Sequence, residues 1–269
     1  MFKGDYNFFD YKYNISGYTG QDYGSFAQYL YLVISIIVLF ILIIIFRKYS
    51  KEKVLKIIKI TSIFMILLYI VKTTWESVYD IKIMGSFNVG LLPFDSCSII
   101  MLAGMISSFS KGKMKEYADS WITTGSIVGG IATMLYLNAF KYYPFLSFGA
   151  FYSMIWHFLM VFIGILLIVT NYVEINYKMV IKGFIFHLLI SFIVIPIDFI
   201  FNLDFMMYKS LGGIPIFEGI ASKFTENGLQ ILNPIMMLLL YFIAFNIVFL
   251  IALLIKNIKY KLYKKEENE

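Results

Sequence analysis

A chain of 269 residues that is 60% hydrophobic and only 15% charged, with a mean hydropathy of +0.77, excludes an ordinary water-soluble domain of this size. The net charge of +6 is spread in short basic patches between apolar runs, which argues for orientation in a bilayer and against nucleic acid as a partner. One cysteine, Cys97, and two histidines exclude an intramolecular disulfide and a Cys/His zinc cluster, so no metal or cofactor is expected.

The N-terminal segment 1–26 is acidic and tyrosine-rich, lacks a basic n-region, and is expected to be extracellular. The first apolar run, Ala27 to Phe46, ends in Arg47, Lys48, Lys51, Lys53 and Lys56, a cluster that belongs on the cytoplasmic side. A second run from Ile57 to about Tyr79 carries Lys72 and Glu76 at i,i+4, a pair able to neutralise itself. The third span, Val89 to Phe109, ends at Lys111, Lys113 and Lys115. The fourth, Tyr117 to Phe140, is the least hydrophobic, yet Gly125, Gly129 and Gly130 give it a small-residue face for close helix packing, so it is expected inside the bundle. Lys141-Tyr142-Tyr143-Pro144 reads as an outer turn, Gly149 to Thr170 as span five, and Val180 to Phe201 as span six. The long connection 202–232, with a Gly212-Gly213-Ile214-Pro215 turn signal, precedes the last span, Asn233 to Ile255, and a basic then acidic cytoplasmic tail, 256–269. This organisation predicts an all-α, seven-helix transmembrane domain over 27–255, N-terminus outside, in the cell membrane. It leaves 15 of the 23 Lys and Arg on the inner side.

Ionisable groups inside spans are costly, about 2.5 to 3.5 kcal/mol at the centre even on lenient insertion scales, and so mark candidate sites. The candidates read from the spans are Asp95, His157, His187 and Asp198. Asp95 and His157 lie at similar depth, about 9 and 12 Å below the outer boundary at the helical rise, and are expected to face the bundle interior. Leu92-Pro93-Phe94-Asp95-Ser96-Cys97-Ser98 is the densest chemistry in the chain. On an ideal helix Asp95 and Ser98 share a face while Cys97 is turned about 200° from Asp95. Cys97 reads either as a nucleophile activated by a histidine or as a small buried packing residue. His157 reads as a general base or as a core histidine bonded to Ser153 four residues earlier, and His187 pairs with Ser191 in the same way. Asp198 and Asn202 form a further i,i+4 pair near the outer interface.

The strings Leu91-Leu92-Pro93-Phe94-Asp95-Ser96-Cys97-Ser98, Lys141-Tyr142-Tyr143-Pro144-Phe145-Leu146-Ser147-Phe148 and Ser153-Met154-Ile155-Trp156-His157-Phe158, with Asn202 ahead of Phe205-Met206-Met207-Tyr208, resemble the bacterial YwaF-type membrane proteins over roughly 75–255. That family is remotely similar to eukaryotic ether-lipid acyltransferases and fatty-acid-ester hydrolases of the membrane. The resemblance implies a nucleophile in the turn Pro93 to Cys97 and a partner histidine at His157. Relatives often carry histidine where this chain has Asp95. One expectation is therefore a lipid acyl enzyme open to the outer leaflet, with His157, Cys97 and Asp95 catalytic and Ser98, Ser153, His187, Asp198 and Asn202 binding substrate. The alternatives are a transporter or permease component lined by the same ionisable groups, and a non-catalytic scaffold. Membrane lipids are the expected partners, with a second copy of the chain or an unknown membrane partner as a further one.

Overall fold

The computed structural model describes residues 7–11, 25–136, 140, 143–144, 146–211 and 215–266, and among them the regular structure is entirely helical. Residues 1–6 and 12–24, Lys141 and Tyr142 of the expected outer turn, the Gly212-Gly213-Ile214 signal and residues 267–269 lie outside the described residues. Polar side chains set where the helices begin. Ser25 accepts from the Gln28 amide ahead of α1 (Phe26–Phe46), and Ser50 accepts from the Lys53 amide ahead of α2 (Lys51–Met84). Gly85, at φ 72°, ends α2 in the left-handed conformation that a residue without Cβ adopts freely. Then follow α3 (Ile99–Phe109), α4 (Gly112–Leu135), α5 (Phe148–Val169), α6 (Tyr177–Ile200), α7 (Pro215–Glu226) and α8 (Leu232–Glu266).

Five of these, α1, α2, α5, α6 and α8, are long and apolar enough to cross a membrane. The expected third span is only partly helical. Val89–Leu91 is a 3-10 turn, residues 92–98 are irregular, and the α-helix starts at Ile99. The local chemistry accounts for this, because the Asn88 side chain captures the Gly90 amide and Pro93 has no amide to donate. The ideal-helix placement of Asp95, Cys97 and Ser98 therefore does not hold. The connection 202–232 is likewise partly structured, with a 3-10 turn at Phe205–Met207 and the short helix α7.

The least apolar long helix, α4, sits at the centre, packed against α3, α5, α6 and α8. Its residues from Ala118 to Ile127 are all buried, so every face of this stretch packs against a neighbouring element. Thr123, Thr124 and Ser126 return their hydroxyls to their own helix's carbonyls, and Ser126 also donates to the Met160 carbonyl of α5 at 3.0 Å. At Gly130 a Cβ would meet Val161 Cγ2 at 2.6 Å and the His157 carbonyl at 3.0 Å, so the α4–α5 approach depends on glycine there.

The two ends of the bundle differ. At the basic end Lys115 reaches Asp119 (2.8 Å) and the Tyr172 hydroxyl (2.7 Å), and Lys182 pairs with Glu116 (2.5 Å). At the opposite, aromatic end the segment Asn7–Tyr11 lies across α2 and α5. The Phe8 carbonyl accepts from the Phe148 amide (2.7 Å), the Phe9 carbonyl accepts from the Trp75 indole (3.0 Å), and the Tyr11 hydroxyl donates to Asp80 (2.5 Å). Tyr11 is buried, stacked on Tyr79 and edge-on to Trp75.

Candidate functional site

The irregular segment before α3 turns the chain so that Cys97 meets α5. The Phe94 amide donates to the Leu92 carbonyl (2.8 Å) and the Ser98 amide to the Asp95 carbonyl (2.8 Å), closing two successive tight turns. Phe94 packs edge-on against Phe205 from the 202–211 loop, ring centroids 5.5 Å apart. The Cys97 Sγ then lies 3.3 Å from Nε2 of His157 and 3.7 Å from the Thr133 hydroxyl of α4. His157 is buried, with Nδ1 2.7 Å from the Ser153 carbonyl. A carbonyl can only accept, so Nδ1 carries the proton and Nε2 presents a lone pair to the thiol. That is the tautomer a general base for Cys97 requires.

A second bond fixes the register. The residue preceding His157, Trp156, donates its indole N–H to the Cys97 carbonyl at 3.2 Å. Two consecutive residues of α5 thus hold one residue of the turn, one at the main chain and one at the sulfur. Trp156 is itself buried and stacked on Tyr152, with Tyr69 of α2 alongside; Tyr69 donates to the Leu91 carbonyl. Lys72 sits over the Tyr152 ring, 5.5 Å from its centroid, and pairs with Glu76 at 2.5 Å.

The structure brings together Cys97, His157 and Ser153, whose hydroxyl lies 3.4 Å from Nδ1. The other expected site residues sit elsewhere. Asp95, expected to face the interior, is exposed; its carboxylate bonds neither His157 nor Cys97 among the described residues, because the segment is a turn and not a helix. Ser98 is buried at the start of α3 and lines the groove described below. His187 is packed in a separate core cluster, accepting from the Trp121 indole at Nδ1 (3.4 Å) and facing the Tyr208 hydroxyl with Nε2 (3.4 Å). Ser191, its expected partner, bonds the His187 carbonyl and the Tyr208 hydroxyl instead. Asp198 is fully buried, and its Oδ1 accepts from the Phe205 amide at 2.8 Å. Asn202 is exposed and accepts from the Lys209 ammonium at 2.5 Å.

Beside the turn runs an apolar groove of about 450 Å³, open laterally between α2, α3 and α6 and lined by Ile66, Tyr69, Pro93, Phe94, Ile190 and Val194 among others. Pro93, Phe94 and Ser98 of the segment that carries Cys97 form part of its wall, while Cys97 itself does not line it. From the sequence Trp156 reads as a belt or core aromatic, and nothing singles out Thr133. Trp156 stood next to a candidate base, which is the signal that could have found it, whereas Thr133 is 36 residues from Cys97 and has none.

Among the described residues, an all-helical bundle with several apolar spans and a part-buried thiol–imidazole contact defines a multi-pass membrane protein with a candidate nucleophile inside it. The profile of the TMEM164 family matches residues 23–256, and the chain belongs to that family of membrane proteins. No curated protein and no solved structure matches the chain.

Proposed function

We propose that this protein is a membrane enzyme that transfers or hydrolyses acyl groups of lipids, with Cys97 as nucleophile and His157 as its general base. The 3.3 Å contact of Cys97 Sγ with His157 Nε2, in an imidazole whose other nitrogen is spent on the Ser153 carbonyl, carries this reading. The lateral apolar groove beside the turn suits an acyl chain entering from the bilayer, and the YwaF-type likeness to ether-lipid acyl enzymes points the same way. Ser153 and Trp156 hold the pair in register, while His187, Asp198 and Asn202 serve the surrounding scaffold.

The same reading places α1, α2, the 89–98 turn with α3, α4, α5, α6 and α8 as seven crossings, with the aromatic end outside and the basic end in the cytoplasm of the cell membrane. The test is lipid turnover by the full chain in phospholipid nanodiscs, followed by mass spectrometry of acyl products. His157→Ala is expected to lower product formation by about 10²- to 10⁴-fold, and Cys97→Ser to remove it, with both variants folded. Turnover by folded His157→Ala at the unsubstituted rate would overturn the assignment.

A further inference from the structure

We propose that Thr133 is a further catalytic residue of this site, donating its hydroxyl to the oxygen of the substrate's acyl carbonyl as negative charge develops there. The inference rests on the acyl-enzyme reading above and deepens it. Because Nε2 of His157 presents a lone pair, the Cys97 S–H proton points to the imidazole. The sulfur is then an acceptor toward Thr133, whose hydroxyl lies 3.7 Å away on α4. An acyl carbon bonded to sulfur carries its oxygen two bonds from Sγ, within reach of a donor held at that distance.

The nearer alternatives are engaged. The Ser98 amide, next in the chain after the nucleophile, is spent on the Asp95 carbonyl at 2.8 Å, and the Trp156 indole on the Cys97 carbonyl. Ser96, the residue before Cys97, carries the remaining nearby hydroxyl and is tested beside Thr133. Thr133 is anchored on the central helix one turn beyond Gly129 and Gly130, the stretch that sets the α4–α5 approach, so its position is tied to that of His157. A donor preorganised in this way acts on the transition state without moving.

His157 Nε2 takes the thiol proton; the sulfur lone pair forms the C–S bond; the carbonyl π pair moves onto oxygen, where Thr133 donates. Collapse of the tetrahedral intermediate re-forms C=O and breaks the ester C–O bond. The leaving alkoxide takes the proton back from the imidazolium and departs as an alcohol, leaving a thioester on Cys97.

Cys97 is the sole thiol of the chain, so two reactions at one atom separate the roles. Alkylation by iodoacetamide creates no oxyanion, whereas acylation by p-nitrophenyl octanoate does. In the full chain in nanodiscs, Thr133→Val is expected to slow acylation by about 10²-fold while alkylation stays near the unsubstituted rate, and Thr133→Ser to restore acylation. Equal slowing of both reactions would make Thr133 a determinant of thiol reactivity only and overturn the proposal. So would a selective acylation defect in Ser96→Ala with none in Thr133→Val. His157→Ala slows both reactions if the thiol–imidazole pair is right; no change in either would overturn that pair and the Thr133 role with it.

Discussion

Trp156 illustrates how much of this site is set by single atoms. Its indole N–H is the one polar group the side chain has, and it is aimed at the carbonyl of the residue whose sulfur meets the next side chain along α5. Trp156→Phe keeps the ring and the stacking on Tyr152 but leaves the Cys97 carbonyl without this donor, a cost of about 1 to 3 kcal/mol for a buried acceptor. The expected outcome is a lowered unfolding temperature together with slower alkylation of Cys97, because the turn is no longer held in register with the imidazole. Unaltered alkylation in a folded variant would show that His157 alone positions the thiol. The partnership of His157 with Ser153 was legible four residues apart on one helix, and the similar depth of the two segments suggested that His157 could meet the Cys97 turn. The indole bond was not legible, since it depends on a turn that residues 92–98 form in place of a helix.

At the scale of elements, one contact and one loop make opposite demands on side-chain size. Gly130→Ala would force the α4 backbone away from His157 and Val161, and overpacking of this kind costs about 1 to 3 kcal/mol. Lower thermal stability and slower alkylation of Cys97 are expected together, measured by unfolding and iodoacetamide labelling. The loop after α6 works the other way. Asn202, Met206, Met207 and Leu211 all sit at positive φ, between 51° and 59°, where a side chain with a Cβ is crowded by about 1 to 2 kcal/mol. Asp198 holds this backbone through the Phe205 amide, and Met206 and Leu211 are buried beneath it. Met207 is exposed, so Met207→Gly relieves crowding with little burial lost and is expected to raise the unfolding temperature by a few degrees, a gain of about 0.5 kcal/mol after the added flexibility of the unfolded chain. No feature of Met-Met or Leu marks a left-handed backbone in sequence, which is why this loop read only as a long connection. The glycines of α4, by contrast, announced a buried helix, because small residues in a polar-leaning span have few other uses.

For the whole molecule, hydropathy made the helical membrane architecture legible, and the proposed orientation rests on the basic clusters. Single cysteines placed by Ser210→Cys and Lys264→Cys in a Cys97→Ser background test that orientation: an impermeant maleimide added to intact cells is expected to label the first and spare the second. The segment Asn7–Tyr11 bears on how the protein is made. It precedes α1 in the chain, yet its bonds run to Trp75 and Asp80 on α2 and to Phe148 at the start of α5. Helices enter a bilayer in the order of synthesis, so Asn7–Tyr11 cannot complete its contacts until the chain has been made past Phe148. Nascent chains arrested after α4 should therefore leave Asn7–Tyr11 open to protease, and chains arrested after α5 should protect it, so a segment made before α1 settles only after α5.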